Sequence, residues 1–266
     1  MDVSKIKMVV TDMDGTLLNS NHEVSSRFFE LFTGLKSKGI LFVAASGRQY
    51  NSIIDKLGPI KNDIIVVAEN GGFVVQREKE LLSTPLPNKY VTETLSILNQ
   101  QTDIHPVLCG KHTAYLTKKS DAFVDKLKEY YSEFVLVDQL ENVSAEIIKV
   151  AMYHFESSEK HIYPHVKHLE NLLQVKVSGS NWVDISSANA NKGFALQQLM
   201  DTHNIKPNEL MVFGDYNNDL EMLALADYSF AMENAHSNVK STAKFQTLSN
   251  NNFGVELVLE KLLSQL

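Results

Sequence analysis

The sequence contains a single cysteine, Cys109, among its 266 residues. One thiol cannot form a disulfide within a chain, and such sparing use of cysteine is typical of proteins in a reducing compartment. Long apolar runs are also missing, because charged residues interrupt each run well before the roughly 18 residues that a membrane span needs. The first residues are charged and polar and lack the apolar segment of a signal peptide. We therefore expect a cytoplasmic protein that does not enter a membrane.

A surplus of positive charge is lacking as well. The formal net charge is -7 at pH 7, which argues against a general nucleic-acid-binding surface, since such surfaces neutralise phosphates with lysine and arginine. Any bound anion must be held by cations that are gathered locally. With 44% hydrophobic residues, the chain can build the core of one large or two moderate domains. Extended disorder is therefore not expected.

Apolar runs that suit strands alternate with helical patterns at the beginning and at the end of the sequence. Residues 6–11 and 40–45 are predicted strands, and residues 25–38 between them carry apolar side chains at helical spacing. Near the end, a helix over residues 192–202 is predicted to precede a buried strand at 210–213. Strands that alternate with helices indicate an α/β fold with a parallel, doubly wound sheet.

The middle of the chain, residues 83–187, has a different pattern of predicted elements. Helical patterns alternate there with pairs of strands, and one of the predicted helices covers residues 159–173. The simplest organisation is an α/β core, residues 1–82 and 188–266, that is split by an inserted α+β cap domain, residues 83–187. A linker on each side would let the insert move.

Polar signatures stand at the ends of predicted strands in the core. Ligands of doubly wound sheets bind just beyond the carboxyl ends of the strands, so motifs that are far apart in sequence should converge there. The signatures are D-M-D-G-T at residues 12–16, S-G-R at 46–48, E-N-G-G at 69–72 and G-D-Y-N-N-D at 214–219.

Asp12 and Asp14 lie two residues apart and would face the same side of an extended chain. Carboxylates this close repel each other unless a cation or a shared proton lies between them. Asp215 and Asp219, at another predicted strand end, would add the hard oxygen ligands that suit Mg²⁺. The pattern therefore implies a divalent ion. The alternative is an aspartate-rich turn, because D-G is a common turn signal.

An aspartate can also attack phosphorus and form an acyl phosphate that water then hydrolyses. In this interpretation Asp12 attacks, while Asp14 protonates the leaving oxygen and later takes a proton from the incoming water. Gly15 would let the backbone approach the phosphoryl group closely.

Further side chains supply candidate contacts to the phosphate. Ser46 offers a hydroxyl and Gly47 an unhindered backbone N–H. Lys192 begins the helix after the insert, where its charge would offset that of the nucleophile and bind phosphate. Asn218 can donate a hydrogen bond from its amide to phosphate, and Asp219 can contact the residues that bind the metal and hold them in place.

D-M-D-G-T, S-G-R, N-K-G-F-A-L at residues 191–196 and G-D-Y-N-N-D resemble the four ordered motifs of the haloacid dehalogenase superfamily. More narrowly, the chain resembles Cof-type phosphatases of subclass IIB, whose cap is inserted between the second and third motifs. F-A-M-E-N-A at 230–235 and N-F-G-V at 252–255 also resemble the C-terminal pattern of that family. Small departures are Ser46 where threonine is more frequent, Tyr216 where glycine is common and Gly72 where alanine often follows N-G; none removes a catalytic group.

The resemblance implies a Rossmann-like core, dependence on Mg²⁺ and a phosphoaspartate on Asp12. It implies metal contacts from Asp12, from the backbone carbonyl of Asp14 and from Asp215. Strand alternation placed the Asp14 side chain near the metal, whereas the family pattern assigns that side chain to acid/base work. Phosphate contacts are implied for four residues of this sequence, namely Ser46, Gly47, Lys192 and Asn218.

We therefore expect a Mg²⁺-dependent phosphatase that hydrolyses small phosphorylated metabolites, and the resemblance favours sugar phosphates. An inserted domain over the site would exclude water and contact the leaving group. A sugar phosphomutase, which passes the phosphoryl group to a second hydroxyl instead of water, is an alternative enzyme. A metabolite-sensing protein without turnover is the alternative from another class. No pattern in the sequence indicates an oligomeric state.

Overall fold

The computed structural model describes residues 3–118, 120–128, 130–131 and 133–266. The strands in this part of the chain are β1 (Met8–Asp12), β2 (Leu41–Ala45), β3 (Ile65–Ala68), β4 (Phe73–Gln76), β5 (Lys79–Ser83), β6 (His105–Gly110), β7 (Ala114–Leu116), β8 (Phe134–Leu136), β9 (Ile147–Tyr153), β10 (Leu173–Val177), β11 (Trp182–Ser187), β12 (Leu210–Gly214), β13 (Tyr228–Ala231) and β14 (Phe245–Gln246).

The α-helices in the same described residues are α1 (Ser26–Ser37), α2 (Tyr50–Lys56), α3 (Asn88–Leu98), α4 (Asp121–Leu127), α5 (Ser158–His161), α6 (Tyr163–Val166), α7 (Lys192–His203), α8 (Leu220–Ala224), α9 (Ser237–Thr242) and α10 (Gly254–Leu263). None of the helices in the described ranges is long and apolar enough to cross a membrane.

The chain divides into two compact units. The first contains the described residues up to Gly47 together with Ile53–Leu82 and Asn191–Leu266. The second contains Arg48–Ser52 and Ser83–Ala190.

An eight-stranded sheet forms the centre of the first unit, with the strand order β14-β13-β12-β1-β2-β3-β4-β5 among the described residues. The strands from β14 to β3 are parallel, and β4 runs antiparallel to β3. Every residue of β1, β3 and β12 is buried, as expected for strands that are covered on both faces. The predicted α/β fold with a doubly wound parallel sheet is confirmed.

The order of the strands places a topological switch at β1. The chain continues from β1 to β2 and β3 on one side and returns on the other side as β12 and β13. Crevices form at such a reversal beyond the carboxyl ends of the strands, and ligands bind there. Helix α7 begins next to this edge, and its Asn191 cap accepts a hydrogen bond from the backbone N of Phe194 at 2.7 Å.

The second unit is built on a six-stranded sheet with the order β10-β11-β9-β6-β7-β8 in the described residues. Its strands pair antiparallel, apart from β7 and β8, which are parallel. Leu95 of α3 belongs to one hydrophobic cluster of this unit, and Phe123 of α4 belongs to another. This is an α+β arrangement with its own core.

The helix predicted over residues 159–173 is wrong as a single element. The structure has α5, then α6, then a 3-10 helix at Lys167–Asn171. Pro164 lies in the first turn of α6, where its missing N–H and fixed ring favour the start of a helix over its continuation. Apolar spacing alone did not reveal this interruption.

Candidate active site

The carboxyl ends of the central strands bring the predicted motifs together. Asp12 is the last residue of β1 and pairs in register with Ala45, the last residue of β2. On the other side, Thr11 pairs with Phe213 of β12. Ser46 and Asp215 therefore follow directly at the same edge of the sheet, on either side of Asp12.

Lys192 lies at the centre of this edge, and none of its side chain is exposed. Its Nζ donates to Oδ1 of Asp12 at 2.5 Å and to Oδ1 of Asp219 at 2.7 Å. Burial acts to lower the pKa of Lys192, but Asp12 and Asp219 outweigh burial and hold that pKa above its usual value. The ammonium group is therefore charged, and it links the end of β1 to the loop after β12.

One carboxylate oxygen from each of Asp12, Asp215 and Asp219 lies within 4.8 Å of the others. Burial raises the pKa of Asp12 well above its usual range, although Lys192 opposes that rise. Burial and the neighbouring Asp219 raise the pKa of Asp215 to about 6. Three carboxylates face one ammonium, so the group carries an excess of negative charge and offers the hard oxygen donors that a divalent cation prefers.

The contacts of Asp219 distinguish it from the other two carboxylates. Its Oδ2 accepts hydrogen bonds from the backbone N–H groups of Asp215, at 2.9 Å, and Tyr216, at 3.1 Å, while its Oδ1 accepts from Lys192. Both oxygens are thus used to shape the loop and hold the lysine. Asp12 and Asp215 are better placed to contact a cation directly, with Asp219 supporting them.

The Asp14 side chain does not join this carboxylate group in the described structure. It is 42% exposed, and its Oδ1 lies 3.2 Å from Nδ1 of His22. Gly15, which follows, has φ +77°, and a Cβ there would approach Oδ2 of Asp215 to 2.3 Å. The left-handed turn therefore favours glycine, and a larger residue there would also displace the Asp215 carboxylate.

The predicted phosphate-binding residues also gather at this edge. Ser46 is buried, and its backbone N–H donates to the carbonyl of Val67 at 2.8 Å. Asn218 follows β12, and its Nδ2 donates to Oδ1 of Asn70 at 3.0 Å. A Cβ on Gly47 would lie 3.1 Å from the Asn70 amide, so Gly47 belongs to the same group.

Several residues that hold the loop after β1 were not identified from the sequence. Thr16 Oγ1 donates to Oδ1 of Asp215 at 3.3 Å. Asn234 Nδ2 donates to the carbonyl of Gly15 at 2.8 Å, and Asn250 Nδ2 donates to the carbonyl of Leu18 at 2.8 Å. Thr16 and Asn234 lie in D-M-D-G-T and F-A-M-E-N-A, motifs that carried the family resemblance without a role for either residue, whereas Asn250 lies just before N-F-G-V and had no signal.

Comparison with known proteins agrees with this fold. The family model for haloacid dehalogenase-like hydrolases matches residues 9–259. The chain therefore belongs to the haloacid dehalogenase-like hydrolases, and it is a phosphoric monoester hydrolase of that type.

Two similar proteins illustrate the relationship. The chain is 35% identical to the 5-amino-6-(5-phospho-D-ribitylamino)uracil phosphatase YbjI of Escherichia coli (strain K12), over 97% of this chain and 96% of that protein. The crystal structure of SMU.1108c from Streptococcus mutans UA159 has a TM-score of 0.87 and 30% identity, over 97% of this chain and 99% of that one.

A third comparison concerns the fold alone. The subclass IIB sugar phosphatase BT4131 has a TM-score of 0.80 at 21% identity, over 98% of this chain and 100% of that one.

Proposed function

We propose that this chain is a Mg²⁺-dependent phosphatase that acts in the cytoplasm on small phosphorylated metabolites through a phosphoaspartate on Asp12. The observation that carries the proposal is the buried contact of Lys192 with Asp12 beside Asp215. A nucleophilic carboxylate needs one oxygen held and the other directed at phosphorus. Lys192 binds Oδ1 of Asp12, and we assign the attack on phosphorus to Oδ2.

Asp12 and Asp215, with the backbone carbonyl of Asp14, would hold the Mg²⁺ ion, while Asp219 supports them. When bound, Mg²⁺ would stabilise negative charge on the phosphoryl oxygens in the transition state. The oxygen donors and the excess of negative charge fit this ion.

The chemistry that we propose for the chain has two displacements. Oδ2 of Asp12 forms a bond to phosphorus while the ester P–O bond breaks, and Asp14 gives a proton to the leaving alcohol. Asp14 then takes a proton from water, whose oxygen attacks phosphorus and releases inorganic phosphate and the free Asp12 carboxylate. Ser46, Gly47 and Asn218 are proposed to bind the phosphoryl oxygens during both steps. Lys192 would add its charge to theirs.

Phosphate esters of sugars and sugar alcohols are the favoured substrates. The Escherichia coli relative is named for a substrate with a 5-phospho-D-ribityl group, and the fold neighbour BT4131 is named as a sugar phosphatase. We also propose that the insert, residues 83–187, contributes to selectivity by contacting the leaving group and excluding water. If a folded core without these residues kept the same preference among phosphate esters, this part of the proposal would be wrong.

A panel of phosphorylated metabolites tests the proposed function, with phosphate release measured in the presence of Mg²⁺ and of a chelator. We expect Mg²⁺-dependent release of inorganic phosphate that is lost in Asp12→Asn and kept in Asp55→Asn, a change at an exposed aspartate of α2. An isomerised sugar phosphate as the product would instead identify a phosphomutase. Absence of turnover on every ester would favour a sensing protein.

A further inference from the structure

The E-N-G segment after β3 has no part in the reaction described so far, yet its backbone is unusual. Glu69, Asn70 and Gly71 have φ values of +51°, +54° and +96°. Two of these three residues are not glycine, and such residues seldom adopt the left-handed region. Backbone of this kind persists only where the surroundings hold it, and it is common at functional sites.

Asn70 contacts three of the residues proposed to bind phosphate. Its backbone N–H donates to the carbonyl of Ser46 at 2.9 Å. Its Oδ1 accepts from Nδ2 of Asn218 at 3.0 Å, and its amide lies where a Cβ on Gly47 would approach it to 3.1 Å. Among the described residues, this bond to Oδ1 of Asn70 is the hydrogen bond that the structure gives for the Asn218 side chain.

The next residue brings the same segment against the fourth member of that group. A Cβ on Gly71 would lie 2.3 Å from the carbonyl oxygen of Asn191 and 3.1 Å from the backbone N of Lys192. The E-N-G segment is therefore packed between the loop after β2 and the start of α7. This packing explains how the left-handed backbone is maintained.

We propose that Asn70 is a positioning residue that orients the Asn218 amide for phosphate; the inference rests on the proposed function. A primary amide has two N–H donors in one plane. When Oδ1 of Asn70 accepts a hydrogen bond from one of these N–H groups, the plane of the Asn218 amide is fixed. The direction of its second N–H is then fixed as well. The second N–H can then donate to a phosphoryl oxygen without first being ordered.

Substitutions at Asn70 distinguish the contribution of its side chain from the contribution of its backbone. Asn70→Gly removes the amide and tolerates the left-handed conformation, whereas Asn70→Asp keeps an acceptor for Asn218 but adds negative charge beside the phosphate. The matched control is Asn204→Gly, because Asn204 is an exposed asparagine with φ +52° at the end of α7. The measurements are the inhibition constant of inorganic phosphate, KM, kcat and the unfolding midpoint, all with Mg²⁺ present.

We expect Asn70→Gly to weaken phosphate binding by roughly three- to tenfold, the effect of one lost hydrogen bond, with an unfolding midpoint like that of Asn204→Gly. Asn70→Asp should weaken it further. Asn218→Ala should also weaken it, and adding Asn70→Gly to Asn218→Ala should cost little more, because the two residues act as one unit. Equal phosphate affinity in Asn70→Gly and the wild-type protein would overturn the inference, as would independent losses in the double variant.

The same series separates this inference from the proposed function. If Asn218→Ala left phosphate affinity and KM unchanged, the phosphate-binding role proposed for Asn218 would fail and the role of Asn70 with it. If Asn218→Ala weakened binding and Asn70→Gly did not, only the positioning role of Asn70 would be refuted.

Discussion

Replacing Lys192 with methionine should strongly destabilise the protein when no divalent cation is present. The ammonium group donates to Asp12 and Asp219, and no part of the lysine side chain is exposed. Methionine has a similar length and fills most of the same space, so the packing loss is small. The main effect is electrostatic, because two buried carboxylates lose the charge that compensates them.

The size of the effect follows from this burial. Removing one partner of a buried ion pair costs about 3–5 kcal/mol, and Lys192 serves two partners. We therefore expect Lys192→Met to lower the free energy of unfolding by at least about 3 kcal/mol at neutral pH. Adding Asp219→Asn should recover part of that loss, since one of the two carboxylates left without the lysine is then replaced by a neutral amide.

Urea unfolding with a chelator present measures this prediction, with Lys61→Met as the control at an exposed lysine. The control should change the free energy of unfolding by no more than about 0.5 kcal/mol. A Lys192→Met protein within about 1 kcal/mol of the wild type would refute the reasoning. The reasoning would also be refuted if the changes in the free energy of unfolding caused by Lys192→Met and by Asp219→Asn were simply additive in the double variant.

Three other predictions concern the loop after β1 and the residues around it. Because burial raises the pKa of Asp215 to about 6, Asp215→Asn should stabilise the metal-free protein by up to about 3 kcal/mol at pH 7.5. This gain should fade as the pH falls below 6 and vanish below 3.8, the ordinary pKa of the group, because the wild-type carboxyl is then protonated in both the folded and the unfolded state; urea unfolding that showed no gain at pH 7.5 would contradict the assignment. Asp14→Asn should lower kcat/KM, which reports phosphoryl transfer to Asp12 and not the later hydrolysis, by about 10²-fold or more for alkyl phosphates, but much less for p-nitrophenyl phosphate, whose leaving group needs no acid; equal losses in kcat/KM would argue against general acid catalysis by Asp14. Gly15→Ala should lower both the melting temperature and activity, since its Cβ would meet Asp215 at 2.3 Å; a variant with native values would disprove the steric argument.

Much of the core could be predicted from the sequence because its strands are buried on both faces. Such strands appear as continuous apolar runs, and β1, β2 and β12 lie within the predicted runs or within one residue of them. The convergence of the motifs was also predictable, since parallel strands present their carboxyl ends at one edge. The contact of Lys192 with Asp12 and Asp219 is a geometric consequence of that arrangement.

Contacts between distant loops were not predictable in the same way. Asn70 and Asn218 are 148 residues apart, and Leu18 and Asn250 are 232 residues apart. Asparagine in a loop has many uses, so residue type alone does not reveal a partner. The broken helix around Pro164 was missed for a related reason, because apolar spacing reports a buried face and not the continuity of the backbone.

Borohydride trapping of the enzyme during turnover tests the central claim, a covalent phosphoaspartate on Asp12, most directly. Borohydride reduces an acyl phosphate to an alcohol, which converts the modified aspartate to homoserine. The enzyme is quenched with borohydride while it hydrolyses a substrate in the presence of Mg²⁺. Peptide mass mapping should then find homoserine at position 12, and none when the substrate is omitted. Homoserine at another aspartate would contradict the account. So would an Asp12 that stays unmodified in enzyme that is turning over and accumulates any other acyl phosphate.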